Sequence, residues 1–233
     1  MREIVLDTET TGFDPLTGDR IVEIGCVELL NHLPTGETFH VYINPERDMP
    51  DDAFKVHGLS NQFLAEKPIF AEVVADFLEF IGDDLLVIHN AEFDMKFINA
   101  ELARLGFATL PMSRALDTLP MARKKYPGAQ ASLDALCRRF EIDNTSRTFH
   151  GALLDSELLA EVYLQLIGGR QPGFELGQSA NKGGASLVTV VREARAARPH
   201  TATPEELEAH AAFLATMKKP IWLREPEVEA KAG

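Results

Sequence analysis

Residues 3–12 read Glu3-Ile4-Val5-Leu6-Asp7-Thr8-Glu9-Thr10-Thr11-Gly12. Ile4, Val5 and Leu6 form an unbroken apolar run, the pattern of a central strand covered on both faces. Asp7 and Glu9 prolong the strand two residues apart, so their side chains share one face. Gly12 then ends it. A lone acid at a strand end is ordinarily a turn cap, but a second acid on the same face is harder to explain structurally. The strand over 3–9 therefore brings two carboxylates to one point.

Further strands are expected over 20–30, 38–43, 85–88 and near 115–118. Helices are expected over 70–81, about 92–105, 118–125, 132–140 and about 151–167. Strands first and helices interleaved later predict an α/β fold, a mixed sheet with helices on both sides. Beyond Ile167 the composition changes. Gly168-Gly169-Arg170-Gln171-Pro172-Gly173 and Asn181-Lys182-Gly183-Gly184 read as a linker. Two short helices should follow. The second has a defined start, with Thr203 as N-cap, Pro204 at the first helical position and Glu206 three residues after the cap.

The chain has 233 residues, 45% hydrophobic and 25% charged, ordinary values for a soluble globular protein. No apolar run approaches the roughly 20 residues needed to span a bilayer. No signal peptide is visible, and the default location is cytoplasmic. Cys26 and Cys137 sit in apolar patterns and read as buried thiols. The formal charge of −13 argues against gripping nucleic acid by bulk electrostatics. It leaves room for work on nucleic acid at a small metal-loaded site. The acidity is local: residues 1–168 hold 14 Lys and Arg against 28 Asp and Glu, whereas residues 187–233 hold seven of each.

Two more acids stand on apolar stripes. Asp94 has Phe97 and Ile98 at i+3 and i+4, with Leu105 at i+11, and so faces inward. The plain alternative is an acid favoured by the helix dipole. Asp155 has Leu158, Leu159 and Val162 at i+3, i+4 and i+7. His150 falls in the loop entering that helix, where a histidine is often only structural. Four inward carboxylates repel strongly unless cations neutralise them. Oxygen ligation suits two divalent metal ions, Mg²⁺ or Mn²⁺, rather than zinc. Paired hard cations serve phosphodiester hydrolysis, with His150 as general base toward the water.

Asp7-Thr8-Glu9-Thr10-Thr11-Gly12, His89-Asn90-Ala91-Glu92-Phe93-Asp94 and His150-Gly151-Ala152-Leu153-Leu154-Asp155 together resemble, in order and spacing, the three motifs of the DEDDh exonuclease family. The likeness spans about 1–168. Ile21-Val22-Glu23-Ile24-Gly25, Ser132-Leu133-Asp134-Ala135-Leu136-Cys137 and Glu157-Leu158-Leu159-Ala160-Glu161-Val162-Tyr163 resemble the proofreading (epsilon) subunits of bacterial DNA polymerase III within it. The resemblance implies an RNase H-like exonuclease fold, a five-stranded mixed sheet with one antiparallel strand, flanked by helices. It implies a 3′-to-5′ exonuclease acting on DNA 3′ ends. Asp7, Glu9 and Asp155 would be direct metal ligands, Asp94 a ligand directly or through water, and His150 the base. It sets Asp52 and His57 against the terminal nucleotide, although relatives often carry Glu where this chain has Asp52. The plain reading of 50–58 is a solvated loop.

In layout the resemblance divides the chain into an exonuclease domain at 1–168, a linker at 169–186 and a segment at 187–233 that binds the polymerase catalytic (alpha) subunit. Gln171-Pro172-Gly173-Phe174-Glu175-Leu176 sits where a sliding-clamp-binding peptide is expected, and reads equally as plain linker. Trp222, the only tryptophan, suits an interface anchor. Competing readings are a DEDDh RNase that trims small RNAs and a catalytically dead adapter.

Overall fold

The computed structural model describes residues 1–144, 149–169 and 201–218. The chain divides into two compact units, Met1–Leu176 and Gly177–Gly233, each described by itself. The first contains β1 (Arg2–Thr10), β2 (Ile21–Leu30), β3 (Leu33–Tyr42), α1 (Asp51–His57), α2 (Asn61–Leu64), α3 (Phe70–Ile81), β4 (Leu85–Ile88), α4 (Ala91–Arg104), β5 (Ala115–Asp117), α5 (Thr118–Lys125), α6 (Leu133–Phe140) and α7 (Ala152–Leu166). The five strands form one sheet in the order β3-β2-β1-β4-β5. β2 runs antiparallel to β1 and β3, while β4 pairs parallel with β1 and β5. This is the expected mixed sheet with one antiparallel strand.

β1 is central and works on both faces. Ile4 and Leu6 pack with Phe70, Val74 and Phe77 of α3 and Met95 and Ile98 of α4. Val5 points the other way, onto Leu159, Ala160 and Tyr163 of α7. Burying each such side chain contributes roughly 1.5–3 kcal/mol. Asp7 and Glu9 share the parity of Val5 and therefore lie on the α7 side of the sheet. Along α7, Asp155 and Tyr163 are about 12 Å apart. Along β1, Asp7 and Glu3 are about 13 Å apart. The two elements run in opposite directions, so Tyr163 donates its hydroxyl to Glu3 at 2.7 Å while Asp155 meets the acidic end of the strand.

One glycine makes that approach possible. Gly25 pairs with Asp7 across the ladder. A Cβ there would stand 2.2 Å from the backbone of Ala152 and Leu153. Ser156 closes the contact by donating its hydroxyl to the Gly25 carbonyl at 2.9 Å.

Three readings need correction. Residues 50–58 are not a loop: Asp51–His57 form a helix, ended by Gly58 at φ +73. Leu105 is not on the buried stripe of Asp94; it caps α4 and is 40% exposed. The third strand starts earlier than predicted, at Leu33, because β2 and β3 form a hairpin that pairs Leu30 with Leu33. In the second unit, α8 (Pro204–Ala215) has the expected start: Thr203 accepts from the Glu206 amide, and Glu206 accepts from the Thr203 amide. The predicted helix near 187–195, the peptide at 171–176 and Trp222 lie outside the described residues. Among the described residues, no helix is long and apolar enough to cross a membrane.

Candidate active site

The elements converge at the C-terminal end of β1. Asp7 and Glu9 come from the strand itself, Asp155 from the first turn of α7 and Asp94 from the first turn of α4. His150 stands just before Gly151, the N-cap of α7. Asp7, Glu9, Asp94, His150 and Asp155 line one small cleft of about 190 Å³, with Thr8, His89, Asn90, Phe93 and Leu133. Glu9, His150 and Asp155 each offer a ligand atom within 4.8 Å of the others. His150 Nδ1 is 3.4 Å from Asp155 Oδ2. Glu9, Asp94 and Asp155 are buried, whereas His150 is exposed.

Asp94 reaches the cleft from the opposite face of the sheet. Its carboxylate accepts from the Thr8 amide at 3.0 Å and the Thr8 hydroxyl at 2.7 Å. Burial pushes the Asp94 carboxyl up to about 7, and the Thr8 bonds oppose that rise. The loop before α4 is also fixed. Asn90 takes a left-handed conformation at φ 65, one that Asn tolerates better than most residues. Its amide donates to Asp117 Oδ1, which also caps α5 through the Leu119 amide.

A second cleft, about 740 Å³, adjoins the first through Thr8, Glu9 and Phe93 and extends to Asp52, Val56 and His57. His57 is buried. Its Nδ1 accepts from the Leu59 amide at 3.1 Å. Burial depresses its ionisation, against the opposing influence of Glu23 and the Thr10 carbonyl. Asp52 is on the rim, its side chain 95% exposed and paired with Lys55 at 3.0 Å. The α1 turn and the segment entering α7 are joined: the His150 amide donates to the Val56 carbonyl at 3.1 Å.

Glu23, which the sequence offers only within a motif of the resemblance, belongs to the site's surroundings. It is 2% exposed, pairs across the ladder with Glu9 and lies 2.7 Å from His40 Nε2. The signal was available, since it is an acid inside an apolar strand at the parity that pairs with Glu9. Gly25 carried no sequence signal beyond its type, because the close approach of α7 arises only on packing.

A mixed five-stranded sheet with acids from β1, α4 and α7 at one end is the architecture of the RNase H-like DEDDh exonucleases. An Exonuclease family model matches residues 4–163. DNA polymerase III subunit epsilon of Rickettsia felis is 50% identical over 224 residues, covering 94% of this chain and 98% of that one. The Escherichia coli K12 protein of the same name is 45% identical over 228 residues, 94% of each chain. The nuclease domain of 3'hExo, a DEDDh family member bound to rAMP, superposes with a TM-score of 0.61 at 21% identity, over 71% of this chain and 91% of that one. The chain belongs to the exonuclease family and, within it, to the DNA polymerase III epsilon subunits. It is accordingly a 3′–5′ exonuclease, and dependence on a divalent metal comes with the family. The donor set fits such an ion: buried carboxylates around a solvent-open cleft repel one another without a cation, and their oxygens suit a hard one.

Proposed function

We propose that this chain removes mispaired nucleotides from DNA 3′ ends as the proofreading subunit of a replicative polymerase. The observation that carries the reading is the convergence of Asp7, Glu9, Asp94, Asp155 and His150 on one cleft. The four acids would hold two divalent ions, Mg²⁺ or Mn²⁺. Bound there, such ions activate the attacking water and stabilise the leaving 3′ oxygen. Thr8 holds Asp94 in place. His150, open to solvent on one side and near Asp155 on the other, takes the proton from the attacking water. His57 and Asp52 line the adjoining cleft and meet the terminal nucleotide.

On this reading residues 1–168 are the nuclease and 169–186 a linker whose 171–176 peptide docks on the sliding clamp. Residues 187–233 bind the alpha subunit in the cytoplasm. A tether of this kind raises the local concentration of primer ends for an acidic domain. The test is excision of a 3′ mismatch by the purified chain in Mg²⁺, alone and with the alpha subunit, set against trimming of a short RNA. Faster RNA trimming would favour the small-RNA reading. No turnover on either substrate would favour the adapter.

A further inference from the structure

We infer that the C-terminal turns of α5 and α6 form the track that holds the phosphates of the strand leading into the active site. This deepens the proposed function and rests on it. Residues 118–140 carry five cations, Arg123, Lys124, Lys125, Arg138 and Arg139, against one acid, Asp134. That segment is +4 inside a domain of −14, which leaves −18 over the remainder.

The two helix ends that carry these cations meet at Tyr126. Arg139 stacks over the Tyr126 ring at 4.6 Å, and Lys125 Nζ lies 5.9 Å from the same ring. Cations in a last helical turn are ordinarily explained by the helix dipole. One per helix meets that need, and Lys125 has a structural task besides, donating to the Gln165 and Leu166 carbonyls that end α7. Arg123, Lys124 and Arg138 are exposed, and among the described residues none of them is salt-bridged. Elsewhere among the described residues of the domain most cations are engaged: Arg2, Arg20, Arg47, Lys55, Lys96 and Arg104 pair with acids, Arg114 donates to the Ile81, Gly82 and Asp84 carbonyls, and Lys67 lies over the Phe63 ring.

Position supplies the second argument. Thr118, the first residue of α5, lies 2.8 Å through its hydroxyl from His89 Nδ1. His89 and Leu133, the first residue of α6, both line the catalytic cleft. Both helices therefore begin at the cleft and end at the patch, about 12 Å along, the reach of a few nucleotides. The charge of Arg123 is felt at His89, where burial is the larger cause of a depressed ionisation. Among the described residues, a polyanion approaching this acidic domain meets a cluster of cations without acid partners beside the site, Arg138 being engaged only with the Asp134 backbone carbonyl. Contacts of this kind position a strand without reading its sequence.

The experiment uses the full chain and the triple variant Arg123→Gln/Lys124→Gln/Arg138→Gln. Lys125 and Arg139 are left intact because they hold α7 and Tyr126. Affinity for a fluorescent fifteen-nucleotide single strand, blocked at its 3′ linkage by phosphorothioate, is measured from low to moderate salt. Each single-strand phosphate contact contributes about 0.7 to the slope of log affinity against log salt, so the triple variant should lose roughly 2 of slope. KM for the unblocked strand should rise by roughly tenfold or more at low salt, with the preference for long strands over a dinucleotide shrinking to match. The companion variant Arg123→Lys/Arg138→Lys should keep the slope, which separates charge from folding. An unchanged slope in the triple variant overturns the track. So does an unchanged slope with loss of polymerase co-elution, which would assign the patch to an acidic protein face. A wild-type chain that degrades RNA and ignores DNA, yet shows the slope change, would refute the proofreading reading and leave the track standing.

Discussion

Asp94 is held by both polar groups of Thr8, the amide at 3.0 Å and the hydroxyl at 2.7 Å. The second residue of the Asp7-Thr8-Glu9 triplet thus points through the sheet and fixes an acid that the flanking residues cannot reach from their own face. Thr8→Val keeps the shape and removes one donor. A hydrogen bond to a charged group is worth about 1.5–3 kcal/mol, so divalent-metal affinity should fall by roughly tenfold or more. Calorimetric titration with Mn²⁺ checks it, and an unchanged affinity would remove Thr8 from the site's support.

The five site residues should separate by role. Asp7→Ala and Asp155→Ala are expected to abolish turnover while leaving a folded chain, since each relieves repulsion in a crowded acidic cleft. His150→Ala should lower turnover on the order of 10²–10⁴-fold with a smaller effect on strand binding, and the acidic limb of the pH profile should disappear. Steady-state rates in Mg²⁺ from pH 5 to 9 decide this; a retained limb would move the base elsewhere.

Gly25→Ala should be severe for a change of one methyl group. The new Cβ would stand 2.2 Å from the Ala152 and Leu153 backbone, so the start of α7 must lift and carry Asp155 with it. Overpacking of this kind costs about 1–3 kcal/mol and sometimes more. Thermal melts should show the loss and nuclease assays a larger one. A variant with wild-type activity would mean that α7 has room to shift without moving Asp155.

His57 sets an expectation for pH. Its Nδ1 accepts from the Leu59 amide, and burial depresses its ionisation below the ordinary histidine range. The folded state therefore favours the neutral ring. Its contribution is present above the unfolded value of about 6.5 and is lost as pH falls through the lower folded value. Melting of the metal-free chain should drop on acidification below about pH 6.5, and less steeply in His57→Gln. Parallel curves would show that His57 does not carry the dependence.

Much of this was legible in the chain, for reasons tied to particular residues. Ile4–Leu6 announced a central strand because both of its faces are covered. Asp94 and Asp155 stood out because each interrupts a stripe that packing then buried. β3 extends beyond its sequence signal because it is an edge strand. Leu33 to Thr38 are exposed, so no apolar alternation marks their pairing with β2. α1 was missed because it is seven residues long, has no side-chain N-cap bond and buries only His57. The partnership of Glu23 with His40 depends on a β2–β3 register that the individual strands do not encode.

Truncation after Gly168 is expected to leave an active exonuclease that no longer joins the polymerase. All five site residues lie before that point, and α7 ends at Leu166, its last carbonyls met by Lys125. Beyond it, α8 exposes Leu207 and Phe213, each 57% accessible. A helix of twelve residues is marginal alone in water. Apolar side chains left open on such a helix are suited to burial against a partner. Trp222 continues that segment in sequence, and an aromatic anchor of an interface typically costs at least ~2 kcal/mol on truncation to Ala. Gel filtration of the polymerase alpha subunit with full-length, truncated and Trp222→Ala chains measures the association, and mismatch-excision assays on each measure the chemistry. The truncated form should excise at the full-length rate and elute apart from the polymerase, with Trp222→Ala weakened by roughly thirtyfold. Co-elution of the truncated chain at full affinity would sink the tether, and loss of its nuclease activity would instead make residues beyond 168 part of the catalytic domain.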